Sequence, residues 1–180
     1  MSLVLLLGGA RSGKSSLAVD LAQRWKGPVT VVATGEAGDE EMADRIRRHR
    51  AERPADWTTV EEPLALGDAL GRVEDSAAIV IECLSLWVAN VLARGGSDEG
   101  VVEEARAVAA ACAARRSPTV AVSNEVGLGV VPATPLGRRY RDLLGHVNAL
   151  WAEAADEVAL VVAGRPVHLG SREDVLQWIS

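Results

Sequence analysis

Phenylalanine is absent from this chain, tyrosine occurs once and tryptophan five times. Aromatic side chains therefore cannot dominate the interior, and Ala, Val and Leu are expected to carry the packing. Cysteine is nearly as scarce, with only Cys83 and Cys112 and no ligand-like spacing between them. That excludes a disulfide framework and a zinc ribbon and fits a reduced, cytoplasmic compartment. Cys112 falls on the apolar face of a helical pattern and reads as a small core residue. No apolar run nears the ~20 residues that cross a bilayer. The apolar start also lacks the basic lead of a signal peptide. Positive charge is in deficit, 19 Lys and Arg against 25 Asp and Glu, a net −6. Such a balance argues against general binding to nucleic acid or to anionic membranes.

What is present is apolar material, 48% of 180 residues, enough for a sizeable core. A single nucleotide-binding domain over 1–180 is expected. Strand-like and helix-like segments alternate along it. Continuous apolar or β-branched runs at Leu3–Leu7, Val29–Ala33, Ala77–Ile81, Thr119–Ser123 and Val158–Ala163 read as strands, with short ones at Trp57–Glu61 and Val167–Leu169. Helical spacing follows Ser15 through Leu17, Leu21 and Trp25, and recurs from Glu40 to about Arg53, Leu84 to about Arg94, and Val101 to Cys112. The clearest stripe runs through Leu136, Tyr140, Leu143, Leu144, Val147, Leu150, Trp151 and Ala154. Repeated βα units predict an α/β fold with a mainly parallel sheet and helices on both faces. The loops after Leu7, Ala33, Ile81 and Ser123 then share one edge, where ligands bind such sheets.

The first of these loops carries the strongest signal, Gly8-Gly9-Ala10-Arg11-Ser12-Gly13-Lys14-Ser15. It is the phosphate-binding pattern G-x4-G-K-S in its required setting, strand before and helix after. Backbone N–H groups of such a loop close around phosphate oxygens, the lysine reaches the β- and γ-phosphates, and the serine hydroxyl binds magnesium. The fold is therefore expected to be P-loop NTPase-like, a RecA-like three-layer sandwich that handles nucleoside triphosphates. Glu82 ends an apolar run on the same edge. It reads either as a carboxylate that joins Ser15 in holding Mg2+ or as a strand-end surface group.

Two further segments stay open on residue pattern alone. Asp39–Pro54 holds Arg45, Arg47, Arg48, His49, Arg50 and Arg53 over a thin apolar stripe of Met42 and Ile46. It reads as a solvated helix face with Glu41–Arg45 and Asp44–Arg48 pairs. Alternatively, the arginines could keep His49 neutral and nucleophilic and draw a polyphosphate to it. Ser123–Pro132 reads as an ordinary βα loop or as a ligand loop with Asn124 and Glu125 as polar contacts. Arg138, Arg139, Arg141 and Asp142 read as ligand contacts or solvated charge, and His146 and His168 as surface or packing residues.

Together these segments resemble the bifunctional adenosylcobinamide kinase / adenosylcobinamide-phosphate guanylyltransferase family. The resemblance rests on Gly8–Ser15, Val32-Ala33-Thr34, Asp39–Pro54 with Trp57 and Glu61, Glu82-Cys83-Leu84-Ser85, Ser123–Pro132, and Arg141-Asp142 through Asn148 to Ala155-Asp156. It covers about Leu3 to Leu169 in family order. It implies phosphorylation of adenosylcobinamide with ATP or GTP, then transfer of GMP from GTP to the phosphate through a histidine, giving adenosylcobinamide-GDP and pyrophosphate. That histidine is His49, with Lys14 as its catalytic companion in the phosphate loop. Nucleotide contacts are implied at Gly8 to Ser15, at Ala33, Thr34 and Gly35, at Arg50, Ala51, Glu52 and Arg53, and at Glu61 and Glu82. A homotrimer with sites between subunits is implied as well. The stretch Gly35–Gly38 is variable in the family, and the tail Gly170–Ser180, with Val175, Leu176 and Trp178, runs past its usual end; a short packing helix is one reading. The competing readings are a small-molecule kinase of another pathway, with His49 on its surface, and a nucleotide-driven switch.

Overall fold

Among the described residues the alternating pattern folds into fourteen elements. In chain order they are β1 (Leu3–Leu7), α1 (Lys14–Ala22), β2 (Val29–Ala33), α2 (Glu40–Ala51), β3 (Thr58–Glu61), α3 (Leu66–Gly71), β4 (Ala78–Glu82), α4 (Leu84–Ala93), α5 (Asp98–Ala113), β5 (Thr119–Val122), α6 (Pro135–Ala154), β6 (Glu157–Val162), β7 (Arg165–His168) and α7 (Arg172–Leu176). The structure is a computed structural model and describes residues 3–176, the side chain of Val175 excepted. The expected tail helix corresponds to α7, and Trp178 lies outside the described residues. The short helix α3 escaped the sequence reading because its six residues give too little length for a periodic signal.

One sheet joins the strands in the order β3-β2-β4-β5-β1-β6-β7. All neighbours pair in parallel except β7, which runs antiparallel to β6. The parallel strands therefore end on one edge, as the βα alternation requires. Strand β1 lies between β5 and β6, with Leu3 opposite Thr119 and Leu7 opposite Leu160. A strand so placed is covered on both faces, which explains its unbroken apolar run.

The pleat then divides the core in two. Leu3, Leu5 and Leu7 join the cluster beneath α3, α4, α5 and α6, while Leu6 joins Val31, Val80 and Val120 beneath Ala18 and Ala22 of α1. Cys112 lies fully buried in the first cluster, as expected. Ala, Val and Leu carry most of the core, as expected, but its two largest fully buried side chains are Trp87 and Trp151. The Trp87 indole N–H reaches the Leu64 carbonyl at 2.7 Å, so its polar end is satisfied inside. Two ends of the helical stripes also differ. Trp25 lies beyond the end of α1 and is exposed, and the buried face of α6 begins only at Leu143, leaving Leu136 in solvent. Among the described residues no helix is long and apolar enough to cross a membrane.

Candidate active site

The loop between β1 and α1 owes its shape to two glycines. At Gly8, φ is +151° and a Cβ would run into the Val161 carbonyl oxygen. At Gly13, φ is +99° and a Cβ would lie 3.0 Å from Gly164 Cα. Only glycine fits either place without strain. The β6–β7 turn thus forms a backing for the loop, and the Gly164 N–H donates to the Ser12 carbonyl at 2.8 Å. Gly164 was not among the residues singled out from sequence. The Ala163-Gly164 pair between two β-like runs was the available signal, since it marks a hairpin turn.

Lys14 opens α1 and is buried. Its ammonium donates to the Gly8 and Gly9 carbonyls at 2.9 and 2.7 Å and to Ser12 Oγ at 3.3 Å. Burial pulls it below the ordinary lysine range, against the opposing pull of Cys83 and Glu82. The Gly8 carbonyl also accepts the Glu125 N–H at 3.0 Å, which ties the loop after β5 to the phosphate loop. That second loop is rooted by Asn148 of α6. Its Oδ1 accepts from Ser123 Oγ at 2.6 Å, and its amide donates to the Asn124 carbonyl at 3.1 Å.

Helix α2 covers the phosphate loop as a roof. Asp39 caps it, accepting the Met42 N–H at 2.7 Å, with Glu40 and Glu41 in its first turn and Arg48, His49 and Arg50 in its last. Both ends suit the helix dipole. The helix buries no residue, so polar contacts hold it over the edge. Its ion pair on the outer side is Asp44–Arg47, one residue closer than the expected i,i+4 pairing. Beneath it, His49 Nδ1 lies 2.8 Å from Glu82 Oε1, and Arg53 donates to Glu82 Oε2, also at 2.8 Å. Arg50 pairs with Glu61 at the end of β3.

Roof, loop and strand ends enclose a cleft of about 470 Å³. Its walls include Ala10 to Ser15, Ala33, Gly35, His49, Arg50, Glu52, Arg53, Glu61 and Glu82. Asn124, Arg45, Ile46 and Leu86 also line it. Four expected contacts take other places. Thr34 is fully buried, and its hydroxyl bridges the Cys83 carbonyl and N–H at 2.7 and 2.8 Å, so the side chain fastens β2 to β4 rather than facing a ligand. Ala51 is exposed and outside the cleft wall, as the end of a helix turned away from it. Gly8 and Gly9 act through carbonyls that receive Lys14.

The charged start of α6 is engaged within the chain. Arg138 donates to the Pro132 and Ala133 carbonyls at 2.9 Å, Arg139 pairs with Asp98, and Arg141 with Asp142. His146 is exposed, and so is His168, beside Glu157 at 3.0 Å.

Glu82 is the electrostatic centre of the cleft. Burial works against its charge. Hydrogen bonds from His49 and Ser15, the charge of His49 and a hydrogen bond from Arg53 prevail, and hold the carboxyl at about 2 against an ordinary 4.5. The folded chain therefore binds this proton less tightly than the unfolded chain. The resulting stability is complete above pH 4.5 and is lost as pH falls toward 2. Just above pH 4.5 it is worth about 3 kcal/mol. Urea midpoints measured down this acid range should fall more gently for Glu82→Gln than for the native chain; equal slopes would mean the carboxylate contributes nothing.

The donor set also fits a hard cation. The Ser15 hydroxyl lies near enough to the Glu82 carboxylate to help hold it ionised, and this serine–carboxylate pair beside a phosphate loop is the oxygen chemistry Mg2+ takes. Among the described residues no group of three or more His, Cys, Asp and Glu forms a metal centre by itself. Such an ion would complete its shell with phosphate oxygens and water.

Comparison with known proteins agrees with this geometry. A family model described as cobinamide kinase / cobinamide phosphate guanyltransferase matches residues 4–169. The bifunctional adenosylcobalamin biosynthesis protein CobP of Pseudomonas aeruginosa is 43% identical, with 92% of this chain and 95% of that protein covered. CobU of Escherichia coli, of the same description, is 37% identical over 90% of this chain and 96% of its own. Among solved structures, the type III secretion ATPase EscN of enteropathogenic E. coli superposes with a TM-score of 0.57 at 13% identity, covering 90% of this chain and 43% of that one. A KaiC-like protein of Pyrococcus horikoshii superposes at 0.51 and 12% identity, covering 88% and 70%. These two likenesses concern the fold, the RecA-like α/β arrangement expected from the sequence.

Proposed function

The chain belongs to the cobinamide kinase / cobinamide phosphate guanyltransferase family, and we propose that one cleft, with His49 as its nucleophile, serves both of that family's reactions. It is a bifunctional enzyme of cobalamin nucleotide-loop assembly. The kinase reaction phosphorylates adenosylcobinamide with ATP or GTP, and the transferase reaction adds GMP from GTP to the phosphate. The observation that carries the one-cleft reading is His49, roofing a phosphate loop from 2.8 Å above the Glu82 carboxylate.

In transfer, the triphosphate lies in Gly8–Ser15, with Lys14 turning from its loop carbonyls to the phosphate oxygens. The His49 imidazole attacks the α-phosphorus in line, and pyrophosphate leaves among Lys14, Arg45 and Arg53, which offset its charge. The guanylyl group then passes to the phosphate of adenosylcobinamide phosphate. Splitting the transfer makes each displacement easier. In the kinase reaction the same loop presents a γ-phosphate to the substrate hydroxyl, and a loose transition state needs no assigned base. Ser15 and Glu82 would hold Mg2+, which supplies charge neutralisation at the phosphates. Incubation with GTP labelled at the α-phosphate tests the reading. Acid-labile, base-stable label on the protein supports it, and an unlabelled protein that still phosphorylates substrate favours a plain kinase.

The functional unit is a homotrimer formed by the single domain 1–180, working in the cytoplasm. Exposed Leu128, Val130, Val131 and Leu136, the first two 82% and 95% accessible, lie together in sequence past the cleft edge, an apolar cluster a monomer rarely leaves in water. Val130→Asp should shift native mass from trimer to monomer and leave nucleotide binding by the phosphate loop within about threefold. A trimer of unchanged stability would remove this loop from the interface.

A further inference from the structure

We infer that Glu82 is a positioning residue that keeps the His49 ring proton on Nδ1, so that Nε2 is the nitrogen that takes the guanylyl group. The inference rests on His49 being the nucleophile, as proposed above. Its basis is the 2.8 Å contact between His49 Nδ1 and Glu82 Oε1. An ionised carboxylate only accepts, so the ring N–H must point at it, and the lone pair of the neutral ring is left on Nε2. The carboxylate is itself fixed, because its other oxygen accepts from Arg53 at 2.8 Å, and the Arg53 side chain is 9% exposed. Arg53, Glu82 and His49 thus form a chain of definite polarity from guanidinium to imidazole.

This polarity balances the reaction. The Nε2 pair forms a P–N bond to the α-phosphorus, and the bond from that phosphorus to the α,β-bridging oxygen breaks, its pair leaving with pyrophosphate. Nδ1 keeps its proton throughout. The ring becomes cationic, and the carboxylate beside it opposes that charge as it develops. In the second half the acceptor's phosphate oxygen forms the new P–O bond and the P–N pair returns to Nε2. Neither half requires a proton to leave the ring, so no further base is needed.

Arg53 makes the test sharp. In Glu82→Gln the shape is kept, but the guanidinium only donates, so the amide oxygen must face Arg53. The amide NH2 then faces Nδ1 and forces the proton onto Nε2, which loses its lone pair. The chain has three histidines, so ring-nitrogen NMR on histidine-labelled full-length protein resolves His49, with His146 and His168 as internal references. Spectra recorded without nucleotide or magnesium, in alkaline buffer, should show Nδ1–H in the native chain and Nε2–H in Glu82→Gln. The first half-reaction should fall about 10³–10⁴-fold in the variant, the scale of a wrong-tautomer defect. After reaction with GTP, phosphorus–nitrogen coupling in the native adduct should fall on Nε2. A native Nε2–H tautomer, an unchanged tautomer in Glu82→Gln, or an adduct on Nδ1 overturns the inference while His49 remains the nucleophile. No adduct on His49 at all overturns the nucleophile reading, and this inference with it.

Discussion

His49→Ala should abolish guanylyl transfer and spare the kinase. The imidazole is the only group assigned to form the covalent link, and removal of a nucleophile costs at least about 10⁴-fold. Label from α-labelled GTP should vanish from the protein, and adenosylcobinamide phosphate should accumulate without its GDP conjugate. Phosphorylation itself should stay within about threefold, because the phosphate loop and Lys14 do not depend on His49 for their hydrogen bonds. Glu82 would keep Arg53 as partner, so the fold should persist. Separate assays of the two half-reactions check this, and conjugate formed at near-native rate would falsify the role given to His49.

Removing Lys14 should instead cripple both reactions together. In Lys14→Met the ammonium that meets the phosphates is gone whichever phosphorus is attacked, and loss of one preorganised charge of this kind costs on the order of 10²–10³-fold. Stability should change little. Burial already disfavours this ammonium, and the Gly8 carbonyl retains the Glu125 N–H when Lys14 is lost. Parallel kinase and guanylylation assays, with a thermal melt as control, separate the possibilities. Guanylylation that survives while kinase activity is lost would mean two phosphate sites, and the single-cleft reading would fail.

The contrast between these variants mirrors what could be read in the chain beforehand. The phosphate loop and its strand and helix were legible because their signals are local: glycines where backbone must turn, a lysine one step on, apolar periodicity on either side. The sheet edge followed from βα alternation alone. Less local features were missed or misplaced. Thr34 looked like a ligand contact until its hydroxyl was found bridging both backbone groups of Cys83, 49 residues away. Trp87 and Trp151 were outvoted in composition by Ala, Val and Leu, yet they fill the largest buried volumes. Gly164 backs the phosphate loop from a hairpin that begins more than a hundred residues later. The arginine-rich helix was ambiguous by pattern because none of its residues is fully buried, and a stripe as thin as half-buried Met42 and Ile46 leaves a weak periodic record of what lies beneath it.

Residue order was enough to read a phosphate-loop sequence, and on which edge of which kind of sheet it lies, since turn geometry and side-chain periodicity act over a few residues. It was not enough to pair His49 with Glu82 across 33 positions, or Arg53 with the same carboxylate across 29. Those contacts exist because parallel strands bring the end of β4 and the roof α2 to one edge, and no short-range pattern encodes a distance that only the packed sheet creates.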